Sequence, residues 1–439
     1  MSVNRVVVIG AGASGLMAAG RAAEMGADVT LLEKMERPGK KLLISGNTRC
    51  NLSNSRSMED FIPMYGGNGK FLYGAFNLFF RNELVNLLEK YGVKTSTETD
   101  GRIFPASGRA TDVARALTRF AVEKGARLIT GSRVTGIEVV SGQVKEVQTI
   151  GANFPADAVI LATGGASYPQ TGSTGDGYRI AERLGHTIIR PRPALSPLVL
   201  AEKGPLNELQ GISLQNIRLT AFACDAAGID IKRIPVQDTG RGLPGRKPQP
   251  PVIESRKGDI IFTHYGISGP AALLMSLAVT DAMVDTPVSL SIDLMPALSI
   301  EQLENSLQEQ FDGHGSRLLH NTLDPFIRGK IALVISNISG ISPDKKASQI
   351  SGEERRSLAC IIKSFRFDIQ GTRPLAEAMV TAGGVSLSGI DQRTMESKLI
   401  KGLFFCGEVI DIDADTGGYN LQASFSTGYM AGERAARTG

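Results

Sequence analysis

Three glycines, an acid and a polar loop are the first residues of this chain whose types and spacing could do chemistry. Gly10, Gly12 and Gly15 form G-x-G-x-x-G directly after the apolar run Val6 to Ile9. In that pattern the first glycine permits a tight turn, the second lets a pyrophosphate approach the backbone, and the third lets the following helix pack on the strand. The helix start then offers free N–H groups and its positive dipole end to the anion. Glu33 closes the next apolar run, Val29 to Leu32, where a carboxylate accepts hydrogen bonds from both hydroxyls of an adenosine ribose and repels a 2′-phosphate. Behind it comes LLISGNTRCNLSN, Leu42 to Asn54, too polar for a core strand and too rich in Gly, Asn and Ser for a helix.

These residues require a strand, a turn, a helix and a second strand in that order. Val6 to Ile9 is β-branched and apolar without alternation, as in a strand buried on both faces, and Ala-rich Leu16 to Met25 suits the helix. The motif alone leaves NAD and FAD open. Two later strands bear on that choice: Ala158 to Leu161 runs into Ala162-Thr163-Gly164-Gly165, and Gly402 to Phe405 runs through Cys406 into Gly407-Glu408. After them Thr416-Gly417-Gly418-Tyr419-Asn420-Leu421-Gln422 opens an Ala/Ser/Gly-rich helix reaching Arg437. FAD needs an acid at a strand end for its ribityl hydroxyls, here Glu408 with Asp411. It also gains from a helix N-terminus beside the pyrimidine side of the ring, here Gly417 to Gln422. An NAD-only dehydrogenase has no reason to close its chain in this way.

The fingerprint with Glu33, the ATGG strand end and the Gly-Glu strand end resemble glutathione-reductase-type flavoproteins. More narrowly, GKKLLISGNTRCNLSN, FTHYGISGP (Phe262 to Pro270) and GEVIDIDADTGGYNLQ resemble one bacterial family of NAD(P)/FAD-dependent oxidoreductases. Its members are called aminoacetone-oxidase-like or bile-acid-enone-reductase-like, and some are ribosomal RNA dihydrouridine synthases. The likeness runs from the first strand to the last helix. It implies that Lys41, Ser45, Gly46, Arg49, Cys50 and Asn51 neighbour the flavin, with Asn47-Thr48 standing where relatives often have glycines. It also places Ala11, Ser14, Lys34 and Val134 among the cofactor contacts, and the Gly383-Gly384 pair near the ring. Ser173 to Gly185, with its Thr-Gly-Asp-Gly turn, resembles a turn of fumarate-reductase-type flavoproteins; Asp176 is expected to cap the helix that follows.

The expected fold is α/β: a Rossmann-like FAD-binding domain with an inserted antiparallel β domain and a small inserted helical domain. Residues 1–189 and 398–439 would form the FAD domain, 190–296 and 366–397 a β-rich substrate domain, and 297–365 the helical domain. Alternating stretches at Asn216 to Phe222 and Val288 to Ile292 read as antiparallel strands. Ile300 to Leu307, Leu318 to Ser336 and Glu353 to Ile362 have helical spacing. The formal charge of +4 is uneven. Lys232 to Lys257 holds seven basic and two acidic residues, hence +5, which leaves about −1 for the rest. Such a stretch is either a solvated insertion or a contact for nucleic acid. Four separated cysteines, with no Cys-x-x-Cys, argue against structural zinc and fit a reducing, cytoplasmic setting. No stretch has the length of a membrane span.

The implied activity is reduction of FAD by NADH or NADPH, then hydride transfer to an electron-poor C=C. A uridine of ribosomal RNA is the first substrate expected. A small enone, an amine oxidised with O2, and a non-catalytic flavin sensor are the alternatives. His264 in FTHYGISGP and Cys50 are the two candidate proton donors, because the carbon beside the one receiving hydride must be protonated. Each also has a structural reading, a histidine bonded to its turn and a small buried thiol.

Overall fold

The computed structural model describes residues 3–201, 204–243, 248–327 and 329–438. The chain forms two compact units, Met1–Ala194 with Leu375–Gly439, and Leu195–Pro374. The expected three-domain division is therefore corrected. Residues 375–397 belong to the first unit, because Val380–Val385 pairs antiparallel with Ile188–Ala194. The helical segment shares one apolar core with the β strands of the second unit and is not a separate body.

In the first unit a five-stranded parallel sheet runs in the order Leu403–Phe405, Ala158–Leu161, Arg5–Ile9, Asp28–Leu32, Arg127–Ile129. Val6 faces Ala158 on one side and Val29 on the other, so the uninterrupted apolar run lies in the centre of the sheet. Helices Ala13–Glu24 and Tyr419–Ala435 meet through small residues. A Cβ on Gly428 or Gly432 would lie 2.3 Å from the carbonyl oxygens of Ser14 and Ala18 respectively. That backbone-close contact ties the two ends of the chain together.

The second unit is a closed six-stranded barrel with helices over its core. Its strands are Leu198–Leu200, Gly266–Ser268, Val252–Phe262, Ser213–Phe222, Ser289–Asp293 and Phe365–Thr372, and the first closes on the last. Ser299 with Gln302, and Ser351 with Glu354, cap Ile300–Gly313 and Gly352–Lys363 reciprocally. The expected helix from Leu318 to Ser336 is instead two, Leu319–Thr322 and Lys330–Ile338. Pro325 and the left-handed Gly329 (φ +62°) interrupt it.

Candidate cofactor and active site

The glycine turn is built for an anion at one position only. Gly10 has φ +100°, and a Cβ there would sit 2.6 Å from the Ala162 carbonyl oxygen; a Cβ on Gly15 would sit 1.8 Å from that of Gly10. Gly12, the N-cap of the first helix, has nothing within 4 Å of its Cβ position. The first intrahelical bond runs from Leu16 N to Gly12 O, so the amides before it are offered to a ligand. Buried Glu33 accepts from Ala11 N at 2.8 Å and from Met35 N at 2.9 Å, one bond on each oxygen. Each oxygen keeps a further lone pair for a ribose hydroxyl. The turn, the free helix start and the anchored acid fit an adenosine diphosphate moiety.

Around this cradle some expected contacts take other tasks. Lys34 is turned to the following turn, with Nζ 2.7 Å from Asp176 and 2.6 Å from the Thr174 hydroxyl. Asp176 does not cap its helix. It is the first helical residue of Asp176–Arg183 behind Gly175, and its carboxylate holds Lys34, Arg133 and Arg179. Thr163 packs under the same turn, where a Cβ on Gly177 would lie 2.0 Å from its hydroxyl, and Gly164 takes φ +71° beside Ser173. Val134 is buried at the start of Val134–Val140. Ser14 donates to the Cys406 carbonyl at 3.5 Å and backs Gly407.

The polar segment Leu42–Asn54 begins as a short helix, Lys40–Ile44, which corrects the loop reading of its first residues. Beyond it Gly46, Asn47, Thr48 and Cys50 all have positive φ, between +54° and +67°. Asn54 Nδ2 donates to Gly417 O at 3.2 Å. The Asn51 amide, oriented to satisfy its neighbours, donates to Ser53 O at 3.1 Å and accepts from Gly418 N at 2.9 Å. A Cβ on Gly418 (φ +94°) would fall 2.2 Å from Ser53 O. The segment is thus stitched to the start of the terminal helix, where a positive dipole end meets short donors and acceptors.

Several side chains there point elsewhere. Cys50 has no accessible surface, and burial pushes its thiol up to about 12 despite a hydrogen bond with Ser45. That corrects its candidacy as proton donor, because a sealed thiol reaches no substrate and ordinary general acids titrate near the working pH. Ser45 Oγ itself donates to Leu42 O. Arg49 reaches outward, 2.5 Å from Glu98 and 4.0 Å over the Phe104 ring. The Asn420 amide closes its own loop on Ala414 and Asp415. The Tyr419 ring is buried edge-on against Phe61, and half-buried Leu421 follows on the helix. The Cβ positions of Gly383 and Gly384 are closed by the backbones of Arg190 and Val409, so the pair serves packing within the unit.

Glu408 and Lys41, both expected at the cofactor, meet around two residues that sequence reasoning missed, Ser167 and Thr381. Glu408 Oε2 accepts from Lys41 Nζ at 2.6 Å, and Oε1 accepts from Thr381 N at 2.9 Å and from Ser167 Oγ at 3.4 Å. Lys41 also donates to Ser167 Oγ at 2.7 Å. Ser167 and Thr381 are fully buried, and the Thr381 hydroxyl accepts from the amides of Ala166 and Ser167. No spacing in the chain announces Ser167, since its partners lie 126 and 241 residues away. Asp411 is held by Asn68, 3.1 Å from its carboxylate; burial raises its pKa, opposed by that hydrogen bond and aided by Asp413.

His264 belongs to the second unit. It is exposed in the turn between Val252–Phe262 and Gly266–Ser268, its ring 4.8 Å from that of Tyr265, which lies under Arg373 at 4.7 Å. The basic stretch is less uniform than its composition. Lys232, Arg233 and Lys257 are exposed, whereas Arg256 is buried 2.5 Å from Glu254. Arg246 and Lys247 lie outside the described residues. Among those residues no helix is long and apolar enough to cross a membrane, and no cluster of acids, histidines and cysteines could hold a metal.

Residues 4–434 match the HI0933-like protein Rossmann domain family. A 3-dehydro-bile acid delta(4,6)-reductase of Clostridium scindens is 30% identical over 99% of both chains. A ribosomal RNA dihydrouridine synthase of Haemophilus influenzae is 30% identical over 96% of both. A solved 3-ketosteroid delta1-dehydrogenase of Sterolibacterium denitrificans shares the fold over the whole of both chains, with a TM-score of 0.52 at 12% identity. The chain belongs to the HI0933-like family and is an FAD-dependent oxidoreductase.

Proposed function

We propose that the chain is an NAD(P)H-driven reductase of a C=C bond conjugated to a carbonyl, with a uridine of ribosomal RNA as its substrate. One observation carries this reading. Full-length relatives at the same identity bear the names of a delta(4,6)-reductase and a dihydrouridine synthase, and both names describe saturation of a C=C next to C=O. FAD, when bound, supplies the hydride chemistry. Gly12 and the first helix start hold the pyrophosphate, and Glu33 the ribose. Glu408, fixed by Lys41 and Thr381 N, receives the ribityl hydroxyls. The start of Tyr419–Ala435 offers a positive dipole end that would favour the negative charge of a reduced flavin bound beside it. His264 is the remaining candidate to give a proton to the adjacent carbon; the described residues form no separate nicotinamide domain, and the donor would visit the flavin transiently.

A small enone is the second reading, favoured by the bile-acid relative and by burial of Arg256 within the basic stretch. Mass-spectrometric dihydrouridine content of ribosomal RNA from a deletion strain separates the two. Loss of the nucleoside, restored by the gene, supports the uridine substrate. An unchanged level, in a parent that contains the modification and has no second enzyme making it, turns the assignment to small enones.

A further inference from the structure

The first unit carries a second cationic cluster, in the wall of a cavity of its own. Arg133, Arg179 and Arg183 line an open cavity of about 250 Å³, and Asp176 is the only acid in its wall. Both Arg133 (3.2 Å) and Arg179 reach the same oxygen of that carboxylate, while Lys34 takes the other at 2.7 Å. Arg183 is anchored from behind, donating to Arg179 O at 3.2 Å and Thr135 O at 3.0 Å. Three cations thus hold one carboxylate, a net of +2, and Arg183 adds a further positive charge in the cavity wall. Burial alone would raise the Asp176 carboxyl, yet Lys34, Thr174 and Arg133 hold it at about 2, so the acid stays charged and already fully shared.

A guanidinium has five donors in a planar fork matched to carboxylate and phosphate oxygens. Arg133 and Arg179 share a single oxygen, Arg179 also donating to Thr174 O, and both are more than half exposed, so their forks are open to an incoming anion while like charges at this spacing repel. A tetrahedral dianion relieves both, since its oxygens meet Arg133, Arg179 and Arg183 together while Asp176 keeps Lys34. Ile180 is buried in the wall, whereas Ile150, Arg133 and Arg179 are exposed, so the cavity is open to an anion from solvent.

We propose that this cavity binds a phosphate group, separately from the pyrophosphate cradle at Gly10–Gly15. The phosphate comes either from a free phosphate monoester or inorganic phosphate, or from an RNA backbone; the second source rests on the proposed uridine substrate. The test is calorimetric titration of the FAD-loaded protein, at constant ionic strength, with inorganic phosphate and with an oligouridylate. Saturable phosphate binding is expected, weakened about tenfold or more by Arg133→Ala, Arg179→Ala or Arg183→Ala, and strengthened by Asp176→Asn, which removes the competing anion. Arg183→Ala leaves the Asp176 network whole, so folding does not confound it. Oligouridylate binding with the same sensitivities, displaced by phosphate, identifies the RNA source; phosphate binding alone identifies the free one. Absence of saturable binding by either probe, or affinities indifferent to all three arginines, overturns the site. These readouts use no turnover, so they stand apart from the fate of the uridine reading.

Discussion

Gly418→Ala tests whether the polar loop and the terminal helix meet as closely as described. Two costs follow. An L side chain held at φ +94° costs about 1–2 kcal/mol. The new Cβ would also lie 2.2 Å from Ser53 O, and that carbonyl cannot move freely, because Ser53 pairs with Ile103 and Asn54 holds Gly417 O. Overpacking of this kind costs about 1–3 kcal/mol, for a total of about 2–5 kcal/mol. Gly26 is the control, with φ +89° but nothing within 4 Å, so Gly26→Ala carries the backbone cost alone. At about 2 °C per kcal/mol for a unit of this size, Gly418→Ala should melt about 4–10 °C below wild type and well below Gly26→Ala. Its apoprotein should also bind FAD about tenfold more weakly, by fluorescence titration. Equal melting of the two variants with unchanged FAD affinity would refute the close approach.

Glu408→Gln removes the charge that Lys41 faces in a partly buried pair; apoprotein stability should fall by about 1–2 kcal/mol in denaturant and FAD affinity by about tenfold. Asp176 has its folded pKa lowered to about 2 from 3.8, so its stabilisation is full above about pH 4 and is lost as pH falls through about 2. Acid unfolding of Asp176→Asn should therefore be flatter than wild type across that window. In the native protein a thiol reagent near neutral pH should label Cys224 and Cys360 but spare buried Cys50 and Cys406, whose thiols burial pushes up to about 12; mass mapping reads this directly. His264→Asn should slow substrate-dependent reoxidation of the flavin while leaving FAD bound, and unchanged kinetics would remove it from the mechanism.

What could be read in the chain was local. Val6 to Ile9 lacks alternation because both its faces are buried, and the glycine spacing and Glu33 act within one strand–helix–strand unit. The legible part stops where long-range partners decide. Arg49 and Asn420 have side chains suited to a flavin edge, yet Glu98 and the Ala414 backbone engage them first. Ser167 looks like any serine after a glycine pair until Lys41 and Glu408 arrive from distant segments. The helical segment reads as separable because its apolar faces are visible in sequence, whereas the barrel core they share is not. Residues 375–397 read as part of the β domain because nothing local reveals that Val380–Val385 pairs with Ile188–Ala194.

The central claim is saturation of a carbonyl-conjugated C=C by an FAD enzyme driven by NAD(P)H. The most direct measurement is anaerobic: reduce the FAD-loaded protein with NADH or NADPH, add unmodified ribosomal RNA or a steroid enone, and follow flavin absorbance together with product mass. The account predicts reoxidation without O2 and a product carrying two more hydrogens. A flavin that stays reduced with both substrates, and reoxidises only when O2 is admitted, would contradict it.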